Sequence, residues 1–374
     1  MTDNPGFLLT IFAFLITIGV LVFVHEMGHY LVGRWCGVKA ETFAIGFGKE
    51  LTGWTDKRGT RWKICMLPLG GYVQFAGDMD PASTPSEEWL ALPAEERNQT
   101  FQSKSLWKRA SIVFAGPAIN FLFAALVLAG FALAYGEPYR PPIVMDVAAE
   151  SAAEKMGLQK GDVIRSFADR DITTFEQFAQ QVAIRPDEEV TVAIERDGET
   201  LEVSGIVGFR IEADRFGNEY KVGLMGLPFP PQNKREVSLA EAPVVAVRQT
   251  GEIVDLIVTT LGQVISGRRS IKELGGPLKI AQVSGEQFAA GLNQFIFFMA
   301  LISINLGFIN LLPIPMLDGG HLMLYAIEAV RRKPANPKVQ EWAFRSGFAL
   351  VMVFMLVVTF NDLSSFGLFS AFGG

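Results

Sequence analysis

Charge is what this sequence has least of. Only 19% of its 374 residues are Asp, Glu, Lys or Arg, while 49% are hydrophobic. A soluble chain needs more charge than that, so membrane segments are sought first. The net charge of −6 and the lack of any long basic run give no sign of nucleic acid as a partner, and none is expected. Cysteine is nearly absent too. Cys36 and Cys65 form no CxxC or zinc-ribbon spacing and read as reduced thiols, which excludes a disulfide framework. The leader MTDNPG lacks Lys and Arg, and no small-residue cleavage site follows the first apolar run, so that run reads as retained rather than as a signal peptide. Histidine is almost as scarce: there are three, and two stand four residues apart.

What is present is long apolar runs. A hydrocarbon core of ~30 Å takes about 20 apolar residues as a helix. Four stretches meet or approach that: Phe7–Val24, continuing as helix to about Trp35; Ser111–Gly136; Gln287–Leu317, interrupted near its end by Asn and Pro; and the shorter Ser346–Asn361. Eleven Lys and Arg lie between Arg34 and Arg109, five between Arg331 and Arg345, and none in the first six residues or after Asn361. The positive-inside rule puts both basic loops in the cytoplasm and both termini outside. Val237–Ile265 is a rival fifth span. Arg248, Glu252 and Asp255 at helical spacing would cost several kcal/mol at the bilayer centre, so an amphipathic helix on the outer surface is expected instead.

Charges return between Glu137 and Gly226. "VTVAIERDGETLEVSGI" reads as a hairpin of Val190–Ile194 and Thr200–Val203 about an Asp197-Gly198 turn. "SAAEKMG" reads as a short helix ended by Gly157, and "LQKGDVIRSF" as a glycine turn into a strand. At Gly157, Leu158, Gly161 and Asp162 this stretch resembles a PDZ domain of the bacterial protease type. Such a groove takes an extended peptide or chain terminus by strand addition. In the first basic loop, "FAIGFGKELTGW" and "RWKICMLPLGGYVQFAGD" read as strands about a "TDKRGT" turn, a hairpin dipping toward the membrane or an ordinary cytoplasmic one. The stretch from Asp80 to Ser105 reads as a solvated loop.

The chemistry lies in His25-Glu26-Met27-Gly28-His29. Residues i and i+4 share a helix face, so both histidines reach one metal ion, and Glu26 stands beside the first to take a proton from a water there. This is a metalloprotease spacing. The bland alternative is two interfacial histidines, but ionisable groups inside a span are costly and point to function. A third ligand is required. Asp318, after Pro313 and Pro315 and before Gly319 and Gly320, reads as that ligand rather than as a helix-ending Asp-Gly turn, because the topology brings it to the depth of His25 near the cytoplasmic face, and it ranks first because a carboxylate completes a two-His site. His321, three residues on, is the competitor, or else a supporting donor or a packed ring.

With these motifs in hand the chain resembles the site-two proteases, of the bacterial regulator of sigma-E protease type, over nearly its whole length. The likeness rests on the HExxH run, "FAGPAIN" with Gly116, Pro117 and Asn120, the PDZ segment, and "NLLPIPMLDGGHL". It implies Zn2+ bound by His25, His29 and Asp318, Glu26 as catalytic base, and Asn310 at the substrate. An extended substrate segment would pair with the edge at Gly70, Gly71, Tyr72 and Val73. It implies a bacterial inner membrane with the PDZ part in the periplasm. The implied substrate is a single-pass membrane protein such as an anti-sigma factor, already cut on its periplasmic side. Better-known members carry two tandem PDZ domains; here one is found.

The expected fold is thus an α-helical polytopic membrane protein of about four transmembrane helices, with a membrane-associated β-hairpin region and an inserted β-rich α+β PDZ domain. Its expected parts are 1–35, first span; 36–108, cytoplasmic loop with hairpin; 109–136, second span; 137–228, PDZ; 229–286, interfacial segment; 287–333, third span with the LDG motif; and 334–374, loop and fourth span. Two rival functions stand: a membrane-anchored PDZ scaffold with a vestigial metal site, and a zinc transporter, against which the expected spans show no obvious inverted repeat.

Overall fold

The computed structural model describes residues 6–77, 93–213, 219–267, 275–333 and 336–365. The loop expected from Asp80 to Ser105 lies outside these as far as residue 92; beyond it, Thr100 and Phe101 are buried rather than solvated. In chain order the elements are helix α1 (Phe7–Trp35), strands β1 (Ala40–Thr55) and β2 (Arg61–Phe75) and helix α2 (Leu106–Tyr135). Then come β3 (Val163–Phe167), β4 (Arg170–Asp171), α3 (Phe175–Ala183), β5 (Glu189–Arg196), β6 (Glu199–Ile206), β7 (Gly208–Ala213) and β8 (Glu219–Leu224). The last are α4 (Ala242–Ile265), α5 (Pro277–Ala290), α6 (Leu292–Leu311), α7 (Asp318–Arg331) and α8 (Pro337–Ser365).

Among the described residues four helices are long and apolar enough to cross a membrane: α1, α2, α6 and Lys338–Ser364 of α8. They are the four stretches the apolar runs predict, and α4 is not among them. The third differs in extent. Gly291 sits at φ 132°, ψ 163°, a region open essentially to glycine alone, and separates α6 from α5, which holds Gln287. At the other end Leu312 is extended (φ −62°, ψ 141°), as a residue before proline must be, so α6 stops at Leu311 and Asp318 opens a separate helix.

The chain divides into two units. One comprises Met1–Leu128, Ala246–Asp255 and Gly275–Asp362. Its sheet is more folded than a plain hairpin. Segment 71–75 lies against 40–45, with Phe43 opposite Val73 and Ile45 opposite Gly71; 40–45 also lies against 61–64, with Phe43 opposite Trp62; and 61–65 against 50–55, with Trp54 opposite Trp62. Positive φ at Gly46, Gly48 and Gly70 lets two strands bend into four segments, leaving 71–75 as an outer edge. Trp62 stacks on Trp54 (5.9 Å between ring centroids) and on Phe43 (4.4 Å), and Phe43 meets Tyr30 and Phe23 of α1. The sheet is therefore pinned by aromatic contact to the helix carrying the two histidines.

The other unit comprises Ala129–Val245, Leu256–Leu274 and Leu363–Gly374. Its four-stranded sheet runs β4-β3-β5-β6, and Val190, Val192 and Ile194 alternate inward against Phe167, Phe175 and Phe178. The β5–β6 hairpin turns at Asp197-Gly198, both at positive φ as a two-residue hairpin requires. Thr174 and Gln177 form a capping box at the start of α3. Asp162 is buried and accepts from Arg196 Nε (2.7 Å) and the Gln159 N–H (2.8 Å). Burial pushes its carboxyl up, but the Arg196 guanidinium and that N–H outweigh it and hold it below the ordinary carboxylate range.

Candidate metal centre

The helix α1 carries His25 and His29 on one face and brings their Nε2 atoms within 3.2 Å of each other. Asp318, the first residue of α7, reaches them with Oδ2 at 3.1 Å from His25 Nε2 and Oδ1 at 3.6 Å from His29 Nε2. The loop before it makes this possible. Met316 takes φ 88°, and Gly319 and Gly320 are buried so tightly that a Cβ on Gly320 would lie 2.8 Å from Pro315 Cα. A larger residue could not make that turn.

The donor set fits zinc. Ligands about 2.0–2.1 Å from a tetrahedral Zn2+ stand about 3.3 Å apart, which is the spacing of these three groups, all within 4.8 Å of one another. Asp318 Oδ2 is buried, and among the described residues only the His25 ring meets it. Lone pairs that converge like this, largely out of water, call for a cation among them. Room is left by Gly116 of α2: a Cβ there would collide with His29 Nε2 and stand 2.9 Å from His25 Cε1. Gly28 lets the two helices meet, since a Cβ on it would strike the Ala115 backbone. His29 donates its Nδ1–H to the Ile112 carbonyl at 2.9 Å, which frees Nε2 for a metal.

Glu26, on the same turn of α1, accepts from the Val73 N–H on the sheet edge, and its Cγ would lie 3.3 Å from a Cβ on Gly71. One cavity of about 390 Å³ collects His25, Glu26, His29 and Asp318 together with Asn310 and the whole Gly70–Val73 edge. The structure thus brings together every site residue picked out in the sequence. His321 also faces the cavity, but its ring packs on Phe344 (4.8 Å), and it is not in the donor cluster found among the described residues. Sequence reasoning gave no role to Gly28, the Ile112 carbonyl or the Val73 N–H. Gly116 and Asn120 carried only a motif.

Known proteins bear on this arrangement. The chain matches peptidase family M50 over residues 13–354. It is 42% identical to a protein of Agrobacterium fabrum over 94% of this chain and 95% of that one, and 42% identical to a protein of Rhizobium meliloti over 97% and 98%; each is named "putative zinc metalloprotease". It is 36% identical to the metalloprotease MmpA of Caulobacter vibrioides over 99% of both chains. The chain belongs to peptidase family M50, the site-two proteases, and its cofactor is zinc.

Proposed function

We propose that the protein hydrolyses peptide bonds within or beside the transmembrane segment of single-pass membrane proteins, with His25, His29 and Asp318 holding the zinc and Glu26 as general base. The observation that carries this is one cavity in which the three donors, the Glu26 carboxylate and the outer edge of the sheet meet. Bound zinc supplies Lewis acidity to a carbonyl and makes water a nucleophile near neutral pH.

The chain's own residues do the rest. A helical substrate has its carbonyls tied into i→i−4 bonds, so a segment must unwind before it can react. The 71–75 edge receives that segment as an added strand, and Asn310 holds it at the cavity wall. Glu26, steadied by the Val73 N–H, takes a proton from the attacking water and delivers it to the leaving amine as the C–N bond breaks. Water enters from the cytoplasmic end of α1.

In the reading this supports, the β-rich unit is a periplasmic PDZ domain. It screens or binds the new terminus of a substrate, an anti-sigma-like protein, already trimmed outside an inner membrane. The helix α4, with Val244, Val247 and Ile265 exposed along it, lies on the outer bilayer surface.

The test is cleavage of a tagged, pre-trimmed single-pass substrate by purified wild type and Glu26→Gln in detergent, with zinc measured in both. Cleavage by wild type alone, with zinc kept in the variant, is expected. Zinc in both without cleavage by either returns the chain to a scaffold, and zinc transport by a cleavage-inactive Glu26→Gln protein in vesicles favours a transporter.

A further inference from the structure

The two histidines are supported differently on the side away from the metal. The partner of His29 Nδ1 is a backbone carbonyl, which only accepts, so that ring must carry its proton on Nδ1. The partner of His25 Nδ1 is the side-chain amide of Asn120, whose Nδ2 lies 3.0 Å away. An amide can donate or accept, depending on which end it presents. Asn120 is fully buried, and its Oδ1 has no hydrogen-bond partner. Its backbone is fixed: the Asn120 carbonyl accepts from Ser303 Oγ at 2.9 Å, and a Cβ on Gly307 would lie 3.3 Å from Asn120 Cβ.

With the nitrogen end toward Nδ1, His25 carries its proton on Nε2 and has no lone pair for a metal. A half-turn about the terminal bond of Asn120 puts Oδ1 in the same place, and the proton moves to Nδ1. Building on the zinc reading above, we propose that Asn120 is a positioning residue for His25. Its side-chain oxygen accepts the Nδ1–H and thereby presents the Nε2 lone pair to zinc.

The test is zinc affinity, by competition with a chromophoric chelator, for the full-length wild type, Asn120→Leu and Asn120→Asp in detergent, with melting curves for each. The near-isosteric Leu removes the acceptor, and Asp keeps an acceptor at the cost of a buried charge. Asn120→Leu is expected to bind zinc about 10- to 100-fold more weakly, and Asn120→Asp at least as tightly as wild type. Leu within about threefold of wild type, or Asp weakened as much as Leu, overturns the proposal, because packing alone would then explain Asn120. A wild type that binds no zinc overturns instead the metal reading beneath it. Should Asn120→Leu not fold, histidine-selective 15N NMR of the zinc-loaded wild type decides. With three histidines in the chain the signals are assignable. A protonated Nδ1 with a metal-shifted Nε2 on His25 supports the proposal, and a protonated Nε2 or ligation through Nδ1 refutes it.

Discussion

Gly116 shows how a residue without a side chain can serve a metal. Its missing Cβ is the space into which His29 Nε2 points. Gly116→Ala is therefore expected to lower zinc affinity by about 10-fold or more, as losses in the shell behind the ligands do, while the helix itself gains an alanine. Zinc titration beside a melting curve checks it: equal zinc with a lowered melting point would contradict it. Asp318→Asn removes the anionic ligand and is expected to empty the site after dialysis against a chelator that leaves wild type loaded, read by metal analysis. At this scale the sequence was partly legible. His25, Glu26 and His29 lie within two helical turns, so their geometry follows from local spacing alone. Asp318 could be reached only through a topology argument. Gly28, Gly116, Asn120 and the Ile112 carbonyl act through contact between α1 and α2, and no local pattern records which positions of two helices will touch.

The outer edge of β2 gives the element-scale prediction. Glu26 accepts from the Val73 N–H on this outer segment, opposite Phe43 of β1. Proline is tolerated at such edge positions. Val73→Pro should leave zinc content unchanged yet reduce cleavage at least ~10-fold, by freeing Glu26 from its donor and blocking strand addition; undiminished cleavage would remove the edge from the mechanism. In the other unit, Asp162 ties the turn before β3 to Arg196 at the end of β5. Its folded-state carboxyl lies below the ordinary range, so the unfolded chain takes up the proton first as pH falls. The stabilisation is complete above about pH 5 and is lost progressively as pH drops further. Asp162→Asn should cost about 2 kcal/mol at neutral pH and flatten that acid loss, measured by melting at pH 7 and between pH 5 and 3. The β5–β6 hairpin was readable because Asp197-Gly198 demands its turn. The four-segment sheet was not, because its bends at Gly46, Gly48 and Gly70 are set by the pairing of distant segments and the aromatic stack on α1.

For the whole molecule, the apolar runs foretold four helices long and apolar enough to cross a membrane, since burying backbone in lipid leaves little choice but long helices. What composition could not foretell was the break at Gly291, where one residue's φ divides a continuous apolar run. The charge pattern predicts orientation. A phosphatase reporter active only outside the cytoplasm should be active when fused after Ser365 and inactive when fused after Trp35; the reverse pattern would invert the whole arrangement. The donors of the metal cluster belong to α1 and α7, about 290 residues apart in the chain. At ~5–20 residues per second, a ribosome needs roughly 15–60 s to travel from one to the other. During that interval the newborn polypeptide carries Glu26 and the two histidines without Asp318, the third member of the donor cluster. On the proposed reading the order of synthesis would act as a safety delay: the donor set stays incomplete until the chain has passed α6 and reached Asp318.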